Sequence, residues 1–315
     1  MRRAGFISNV VLFILFSVLL LGISCKRNGE EKDITVDFSK KADLSSPNNE
    51  RGTSLNAAVA AMISPEDTFS YYNDIFEYLS LQINRGILFK QRKTYQEVND
   101  LLRWRELDFA FICSGAYVEA KRDFNAEILV VPQVGGETHY FAYIIVRTDS
   151  GINNFFDLQG KRFAFTDPLS NTGCLYPQYL LAQKGQSPED FFQDILFTYA
   201  HDLSIQAVEN RIVDGASVDG LVYDYLKNTN LLITHNLSVI KTSVPFGMPP
   251  VVVHPDMIPE DKERIRRALL NMEKGDRGKD ILSHLGVDRF VIYEDSAYDS
   301  IREMKAYLNM HPNGN

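Results

Sequence analysis

The fold is decided by the stretch Asp167-Pro168-Leu169-Ser170-Asn171-Thr172-Gly173, which follows the apolar run 163–165 and precedes an apolar helical pattern that ends near 184–185. Pro177 limits where that helix begins, because a proline is tolerated only in the first turn, whose N–H groups lack helical partners. We therefore expect the helix to start near Thr172 or Gly173, with Ser170, Asn171 and Thr172 at its N-terminus. Free N–H donors there can bind an anion without a basic side chain. The same residue types are also preferred as plain helix caps, so both interpretations stay open.

The rest of the chain alternates short apolar runs with helical patterns, which predicts an α/β architecture. A helix is expected after Ser64, because Pro65 and two acidic residues follow this potential cap. A second helix is expected over 95–104, and the last sixty residues have helical patterns. Strands are expected at 55–62, 87–91, 108–113, 140–147, 163–165, 216–218, 239–240 and 251–254.

The composition is that of a folded protein, with 45% hydrophobic and 23% charged residues among 315. It excludes a disordered or collagen-like chain, and the length suggests about two domains. The net charge of −8 argues against nucleic-acid binding, which needs a basic face to meet phosphates. It does not exclude a small anion, since neutral donors at a helix N-terminus are sufficient to bind one.

Residues 1–24 have the features of an export signal. Arg2-Arg3 precedes an apolar run at 10–21, and Gly22-Ile23-Ser24-Cys25 ends it. This ending resembles the lipobox of bacterial lipoproteins, whose cysteine is lipidated and becomes the new N-terminus, although Gly22 stands where leucine is usual. An uncleaved membrane helix is the alternative, because 5–24 is long enough to span a bilayer.

A polar stretch, 25–54, separates this signal from the folded body. It is rich in Lys, Glu, Asp, Ser and Asn and buries too little apolar surface to fold, so we interpret it as a flexible tether. The body then begins near Leu55. With a lipid on Cys25, the body would be anchored at the extracytoplasmic face of the membrane, and it would be periplasmic in a cell with two membranes.

Several segments of the body match one family in the same order as in that family. They are 91–95, 108–115, 146–152, 160–173, 201–202, 213–219 and 249–253. Together they resemble phosphate/phosphite/phosphonate ABC-transporter substrate-binding proteins over nearly the whole body. No single segment is diagnostic, but their shared order is specific.

The resemblance implies an α/β, two-lobed periplasmic-binding-protein fold of type II, also called a Venus flytrap. In such proteins the ligand lies in a cleft between two lobes that two crossover strands connect. Mapped onto this chain, lobe 1 would comprise 55–146 plus 245–315, and lobe 2 would comprise 147–244.

The resemblance also implies a set of ligand-binding residues. The family's phosphonate-binding loop falls on Ser170, Asn171 and Thr172, where Asn171 replaces the usual threonine. The other implied ligand-binding residues are Tyr95, Ser114, Tyr140, His201 and Asp219. Without the resemblance, His201 could equally be a satisfied turn residue, Asp219 could merely flank a strand, and Tyr95 could simply begin a helix.

Asp219 has a physical consequence for ligand choice. An ionised carboxylate only accepts hydrogen bonds, so it favours a ligand that still carries a proton or an amine and repels sulfate. Relatives that bind aminophosphonates have a second carboxylate near the position of Pro249. The proline here favours phosphate, phosphite or a simple alkylphosphonate over an ammonium-bearing ligand.

The expected function is an extracytoplasmic solute-binding lipoprotein that delivers its oxyanion to an ABC permease with its ATPase. The alternative is a sensory lipoprotein that presents the oxyanion to a membrane receptor or histidine kinase. Neither function needs a cofactor, a metal or a nucleic acid.

An enzyme is not expected. Cys113 or Cys174 could in principle act with His201, but no nucleophile signature surrounds either cysteine. The histidines fit no zinc spacing, and no nucleotide-binding glycine motif is present. Because the resemblance places the two cysteines on different lobes, a disulfide would hinder lobe opening, and two free, partly buried thiols are favoured.

Overall fold

A computed structural model describes the backbone of residues 54–311, with the side chains of 65–71 and 231 left aside. The predicted signal, the lipidation site Cys25 and nearly all of the tether lie outside the described residues. Across 54–311, no helix is both long and apolar enough to span a bilayer.

Strands and helices alternate along the described chain. The strands are β1 (Ser54–Val59), β2 (Gly86–Gln91), β3 (Phe109–Phe111), β4 (Glu127–Gln133), β5 (His139–Tyr140), β6 (Ala142–Arg147), β7 (Arg162–Phe165), β8 (Asp194–Phe197), β9 (Gly215–Asp219), β10 (Leu237–Thr242), β11 (Phe246–Gly247), β12 (Val251–Val253) and β13 (Arg289–Val291). The α-helices are α1 (Pro65–Ile83), α2 (Tyr95–Arg103), α3 (Ser114–Phe124), α4 (Tyr176–Ala182), α5 (Pro188–Phe191), α6 (His201–Glu209), α7 (Gly220–Thr229), α8 (Pro259–Leu270), α9 (Asp276–His284) and α10 (Asp299–Met310).

The strands form two main sheets. One has six strands in the order β13-β4-β12-β3-β1-β2, and the other has five in the order β10-β6-β9-β7-β8. A two-stranded pair, β5 and β11, is separate from both sheets. The predicted α/β class is confirmed. The predicted lobe boundary at 146/147 cuts through β6, which pairs with β9 and β10 in the five-stranded sheet, and the division into lobes stays a prediction.

Parallel pairing brings the ends of key strands to common edges. β1 is parallel to β2 and β3, and β7 is parallel to β8 and β9. The carboxyl ends of parallel strands in open α/β sheets form the usual crevice for ligands. The residues that follow β1, β3, β7 and β9 are therefore positioned by the sheets themselves.

Continuous apolar strands form the core. β12 consists of three valines with no exposed surface, as a strand covered on both faces requires. In the other sheet, Phe163 stacks on Phe192 with ring centroids 4.3 Å apart. Burying one such side chain contributes about 1.5–3 kcal/mol. β7 is therefore packed into the core immediately before the 167–173 stretch.

Four strands were not predicted from the sequence: β4, β8, β11 and β13. A proline argues against a central strand, and β4 contains Pro132. In the structure, Pro132 lies outside the part of β4 that pairs with β12. It is paired instead with Phe290 of the outer strand β13. β8 and β13 are short and carry charged residues, so their apolar patterns are weak.

Candidate functional site

The stretch after β7 turns into a helix N-terminus, as the sequence predicted. A π-helical turn, Asn171–Leu175, continues into α4, and the hydroxyl of Ser170 caps it by accepting the N–H of Gly173 at 3.0 Å. The helix thus begins one residue earlier than expected. Pro177 cannot donate to the carbonyl of Gly173, and this carbonyl instead accepts the N–H of Thr166 at 3.1 Å.

Gly173 is required by this close approach to β7. A Cβ at this position would lie 1.7 Å from Oγ1 of Thr166, so any side chain would push the helix away from the strand. Together, the carbonyl contact and the missing side chain hold the first turn of the helix, which we call the anion loop (Ser170, Asn171 and Thr172), against the end of the sheet.

Ser114 of α3 and Tyr140 of β5 form hydrogen bonds that lead to the anion loop. Ser114 is the first residue of α3, directly after β3, and its Oγ lies 2.5 Å from the hydroxyl of Tyr140. Nδ2 of Asn171 donates to the same hydroxyl at 3.3 Å. All three side chains are buried, so one hydrogen-bonded chain connects α3, β5 and the anion loop.

Backbone packing reinforces this junction. A Cβ on Gly115 would lie 2.4 Å from the carbonyl oxygen of Leu169 and 2.7 Å from the nitrogen of Asn171. The N-terminus of α3 therefore touches the backbone of the anion loop directly. The absence of a side chain at position 115 permits that contact.

Asp167 connects Tyr95 to the segment just before the anion loop through two hydrogen bonds. One carboxylate oxygen accepts the N–H of Tyr95 at 3.0 Å, and the other accepts the N–H of Leu169 at 2.8 Å. Burial raises the pKa of Tyr95 well above its ordinary value, with further contributions from Cys113, Asp167, Asp219 and Tyr140. The hydroxyl of Tyr95 is therefore a neutral hydrogen-bond donor, and it lies close enough to Cys113, Asp219 and Tyr140 to interact with them electrostatically.

His201, the first residue of α6, also contacts the anion loop. Its Nε2 is 3.4 Å from Oγ of Ser170, and its backbone N–H donates to the carbonyl of Met62 at 2.9 Å. Burial lowers the pKa of His201 to about 3, so the ring is neutral near pH 7. The N–H of Asp219 donates to Nδ1 at 3.0 Å.

Asp219 ends β9 and caps α7. Its Oδ1 accepts the N–H of Leu221 at 2.7 Å, which agrees with the structural role that the sequence left open. Burial raises the pKa of Asp219 to about 7, against the lowering effect of the backbone donors at Leu221 and Val222. The carboxyl therefore releases its proton less readily than an ordinary aspartate, and its ionised form only accepts hydrogen bonds.

All eight predicted ligand-binding residues come together at this junction, and each is 2% exposed or less. Among the described residues, three oxygens here are buried without a hydrogen-bond partner: the hydroxyl of Tyr95, Oγ1 of Thr172 and Oδ1 of Asn171. Buried polar atoms in folded proteins are nearly always paired, so unpaired ones gathered at one place identify a candidate binding site.

Sequence reasoning missed four residues that build the site. Asp167 and Met62 anchor Tyr95 and His201, Oγ of Ser217 donates to the carbonyl of Thr172, and Thr166 contributes another unpaired buried hydroxyl. Only the role of Asp167 could have been predicted from neighbouring residues, because an aspartate two residues before Leu169 is typical of an Asx turn. The other three residues act through contacts with residues that are far away in the sequence or through burial.

Neither a metal site nor a reactive thiol is found in the described part of the chain. No group of three or more His, Cys, Asp or Glu side chains there could hold a metal ion. Cys113 and Cys174 are free, as predicted, and they are fully rather than partly buried. Burial raises the pKa of Cys113 and raises that of Cys174 to about 12, so both remain protonated thiols.

Comparison with solved structures establishes the fold. A binding protein component of an ABC phosphonate transporter from Pseudomonas aeruginosa superimposes with a TM-score of 0.78 at 21% identity, over 84% of this chain and 89% of the other. A protein from Prochlorococcus marinus in complex with methylphosphonate gives a TM-score of 0.75 at 20% identity, over 82% and 98%. The predicted two-lobed periplasmic-binding-protein fold is confirmed.

Sequence comparison establishes the family. The phosphonates-binding periplasmic protein of Escherichia coli is 28% identical over 215 residues, which are 66% of this chain and 63% of that protein. The chain thus spans slightly less than two thirds of this relative. The family model for the ABC transporter, phosphonate, periplasmic substrate-binding protein matches residues 57–298, which include the whole candidate site and every strand except the first three residues of β1. The chain therefore belongs to the family of periplasmic substrate-binding proteins of phosphonate ABC transporters.

Proposed function

We propose that this protein captures phosphate, phosphite or a phosphonate and delivers it to an ABC permease with its ATPase. The observation that carries the proposal is the set of unpaired buried oxygens on Tyr95, Asn171 and Thr172, which surround a helix N-terminus. The hydroxyls of Tyr95 and Thr172 can donate to the oxygens of a phosphoryl group, and the amide oxygen of Asn171 can accept from a phosphoryl oxygen that keeps its proton. The N–H groups of the anion loop add donors without a net positive charge.

Capture works by closure of the two lobes on the ligand. Three contacts already join the elements of the two sheets here: Tyr95 to Asp167, Met62 to His201, and Gly115 to the anion loop. An oxyanion that bonds donors from both sides adds to these contacts only in the closed form. It therefore shifts the population towards the state that docks on a permease.

The donors are neutral, and this determines the ligand class. Tyr95 and His201 are uncharged at neutral pH, and Asp219 is the acidic member of the eight. A ligand that keeps one proton can donate it to the carboxylate, whereas sulfate cannot. The arrangement thus favours phosphorus oxyanions over sulfate.

Binding is tested by calorimetry with methylphosphonate, phosphite, phosphate and sulfate on the full-length chain. Thr172→Val, which removes an unpaired hydroxyl while keeping the shape, is expected to weaken phosphonate binding about tenfold. Thr242→Val, at an exposed position on β10, is the matched control and should bind normally. Absence of binding by every phosphorus compound would overturn the proposal.

Membrane attachment through Cys25 is the second part of the proposal. It is supported by the order of features in the sequence, a basic start, an apolar run and a small residue before the cysteine. Cys25→Ser is expected to abolish incorporation of radiolabelled fatty acid and to release the protein from membranes. Membrane retention of this variant would favour an uncleaved helix instead.

A further inference from the structure

A cavity of about 210 Å³ lies at the edge of the five-stranded sheet that is remote from the anion loop. Arg162 begins β7 and Arg147 ends β6, and Val146 of β6 is paired with Gly215, the first residue of β9. The anion loop follows the other end of β7. The strands separate the two places, since β9 spans about 16 Å at about 3.3 Å for each of its five residues.

The lining of this cavity, which we call the basic pocket, is mostly cationic. Asp214 is the only acid among its described lining residues, and four cations line it with that acid: Arg147, Lys161, Arg162 and Arg211. The chain as a whole has a net charge of −8. Four cations close together in an acidic protein need a physical explanation, because like charges repel one another.

Carboxylates hold the three arginines of the basic pocket in place. Asp149 accepts hydrogen bonds from Nε of Arg147 at 3.0 Å and from Nη2 of Arg211 at 2.6 Å. Asp214 accepts from Nε and Nη2 of Arg162 at 3.1 and 2.8 Å. These hydrogen bonds lower the pKa of both carboxyls, so both are ionised at neutral pH. The guanidinium groups are thus positioned before a ligand arrives.

The carboxylates do not use all the donors of the basic pocket. A guanidinium carries more N–H groups than one carboxylate can accept. The bonds to Asp214 use Nε and Nη2 of Arg162, and the bond to Asp149 uses Nη2 of Arg211, so Nη1 of both arginines is left for another acceptor within the described part of the chain. Lys161 is exposed and takes part in none of these ion pairs.

The size and the donors of the basic pocket indicate the class of ligand. Its volume of about 210 Å³ is below the range of about 300–1000 Å³ that pockets for drug-sized molecules have. Guanidinium groups match the oxygens of a phosphate group in geometry as well as in charge. The oxygens of a phosphate group point in several directions, so one group can contact donors on β7 and on the segment after α6 together.

We propose that the basic pocket is a second anion site, which binds a phosphate group that is either free in solution or part of a phospholipid headgroup. Asp149 and Asp214 position the arginines, and the remaining N–H groups bind the phosphate oxygens together with Lys161. The proposal does not depend on the proposed function, because none of the eight residues of the candidate site lines the basic pocket.

The test is NMR of the full-length chain with nitrogen-15 in its arginine side chains. Methylphosphonate is present throughout in excess, so that it occupies the candidate site. Added inorganic phosphate is expected to shift the Nε–H signals of Arg162 and Arg211 along a curve that saturates. Arg162→Lys and Arg211→Lys assign these two signals by their loss.

Two substitutions are expected to change phosphate affinity in opposite directions. Lys161→Gln removes a cation and should weaken binding about fivefold. Asp214→Asn keeps an acceptor for the backbone N–H of Arg162 but removes a negative charge, and it should strengthen binding about threefold. Lys279→Gln, at an exposed position on α9, is the control and should leave the curve unchanged.

Soluble short-chain phospholipids identify the source of the phosphate group. Dihexanoyl-phosphatidylglycerol carries a negative headgroup, and dihexanoyl-phosphatidylcholine, whose choline cancels the phosphate charge, is its control. Tighter binding of the phosphatidylglycerol than of inorganic phosphate would assign the basic pocket to a headgroup, and the reverse order would assign it to a free anion. Both results support a second anion site.

Two results would overturn the proposal. One is that the signals of Arg162 and Arg211 shift with neither inorganic phosphate nor the phosphatidylglycerol. The other is that they shift, but that Lys161→Gln and Asp214→Asn leave the affinity unchanged. In either case the arginines and carboxylates of the basic pocket would only stabilise the edge of the sheet.

Discussion

The backbone N–H of Asp219 donates a hydrogen bond to Nδ1 of His201 at 3.0 Å, and this contact fixes the tautomer of the imidazole. Because Nδ1 accepts, the proton of the neutral ring is on Nε2, which is 3.4 Å from Oγ of Ser170. β9 and α6 thus position a neutral donor at the anion loop, and no basic side chain is needed there.

The first prediction concerns the protonation of His201. Burial lowers its pKa to about 3, so the imidazole should remain neutral from pH 8 down to pH 4. Nitrogen-detected NMR of the imidazoles should show one ring with constant Nδ1 and Nε2 shifts, and His201→Gln identifies it by loss of the signal. A titration midpoint near 6.5 for this ring would contradict the assignment.

The second prediction concerns selectivity. Asp219→Asn keeps an acceptor for the N–H of Leu221 and therefore keeps the cap of α7, but it removes the negative charge. Sulfate affinity is expected to rise about tenfold relative to phosphate affinity. Competition calorimetry measures the ratio, and Asp194→Asn, at an exposed position on β8, is the control. An unchanged ratio would remove Asp219 from the selectivity mechanism.

The third prediction is a pH dependence of stability. Burial raises the pKa of Asp219 to about 7, so between about pH 4 and pH 7 the folded chain holds a proton that the unfolded chain has released. The free energy of unfolding should therefore fall as the pH rises through this window.

Asp219→Asn isolates this effect, because all other titrating groups cancel in the comparison. Between pH 5 and pH 8 the unmodified chain should lose about 2–3 kcal/mol of stability relative to the variant. Urea denaturation of both proteins without ligand measures the difference. A difference that does not depend on pH would mean that the carboxyl has an ordinary pKa.

Local features of the sequence were sufficient to predict the anion loop. Pro177 limited the start of the helix, Ser170 is a favoured cap, and both act within a few residues. The start of α2 also depends only on neighbouring residues, since Thr94 and Glu97 form a reciprocal capping box. These interactions depend on neighbours along the chain, and a sequence displays neighbours directly.

The contacts that complete the site could not be predicted in this way. Ser217 bonds the carbonyl of Thr172 across 45 residues, and Tyr95 bonds Asp167 across 72. Such pairs arise only when the strands of each sheet are in register and the sheets approach each other. A cavity of about 460 Å³ that Asp219 lines has the same origin, because Val59 and Val287, which also line it, come from elements that are remote in sequence.

The last prediction concerns closure. The N-terminus of α3 touches the anion loop at Gly115, where a Cβ would lie 2.4 Å from the carbonyl oxygen of Leu169. Gly115→Ala should therefore keep the N-terminus of α3 away from the anion loop, and the population of the closed form should fall while both sheets stay folded. The apparent affinity falls in proportion to the fraction of molecules that can adopt the closed form. Methylphosphonate binding should therefore weaken at least about tenfold.

Gly275→Ala is the matched control, since a Cβ there meets nothing within 4 Å. Small-angle scattering with saturating methylphosphonate should give a larger radius of gyration for Gly115→Ala than for the control, while circular dichroism stays the same. Normal affinity together with normal compaction in Gly115→Ala would mean that the contact between α3 and the anion loop does not limit closure. An alanine tolerated there would require the backbone at Leu169 and Asn171 to shift, because the two nearest atoms belong to these residues.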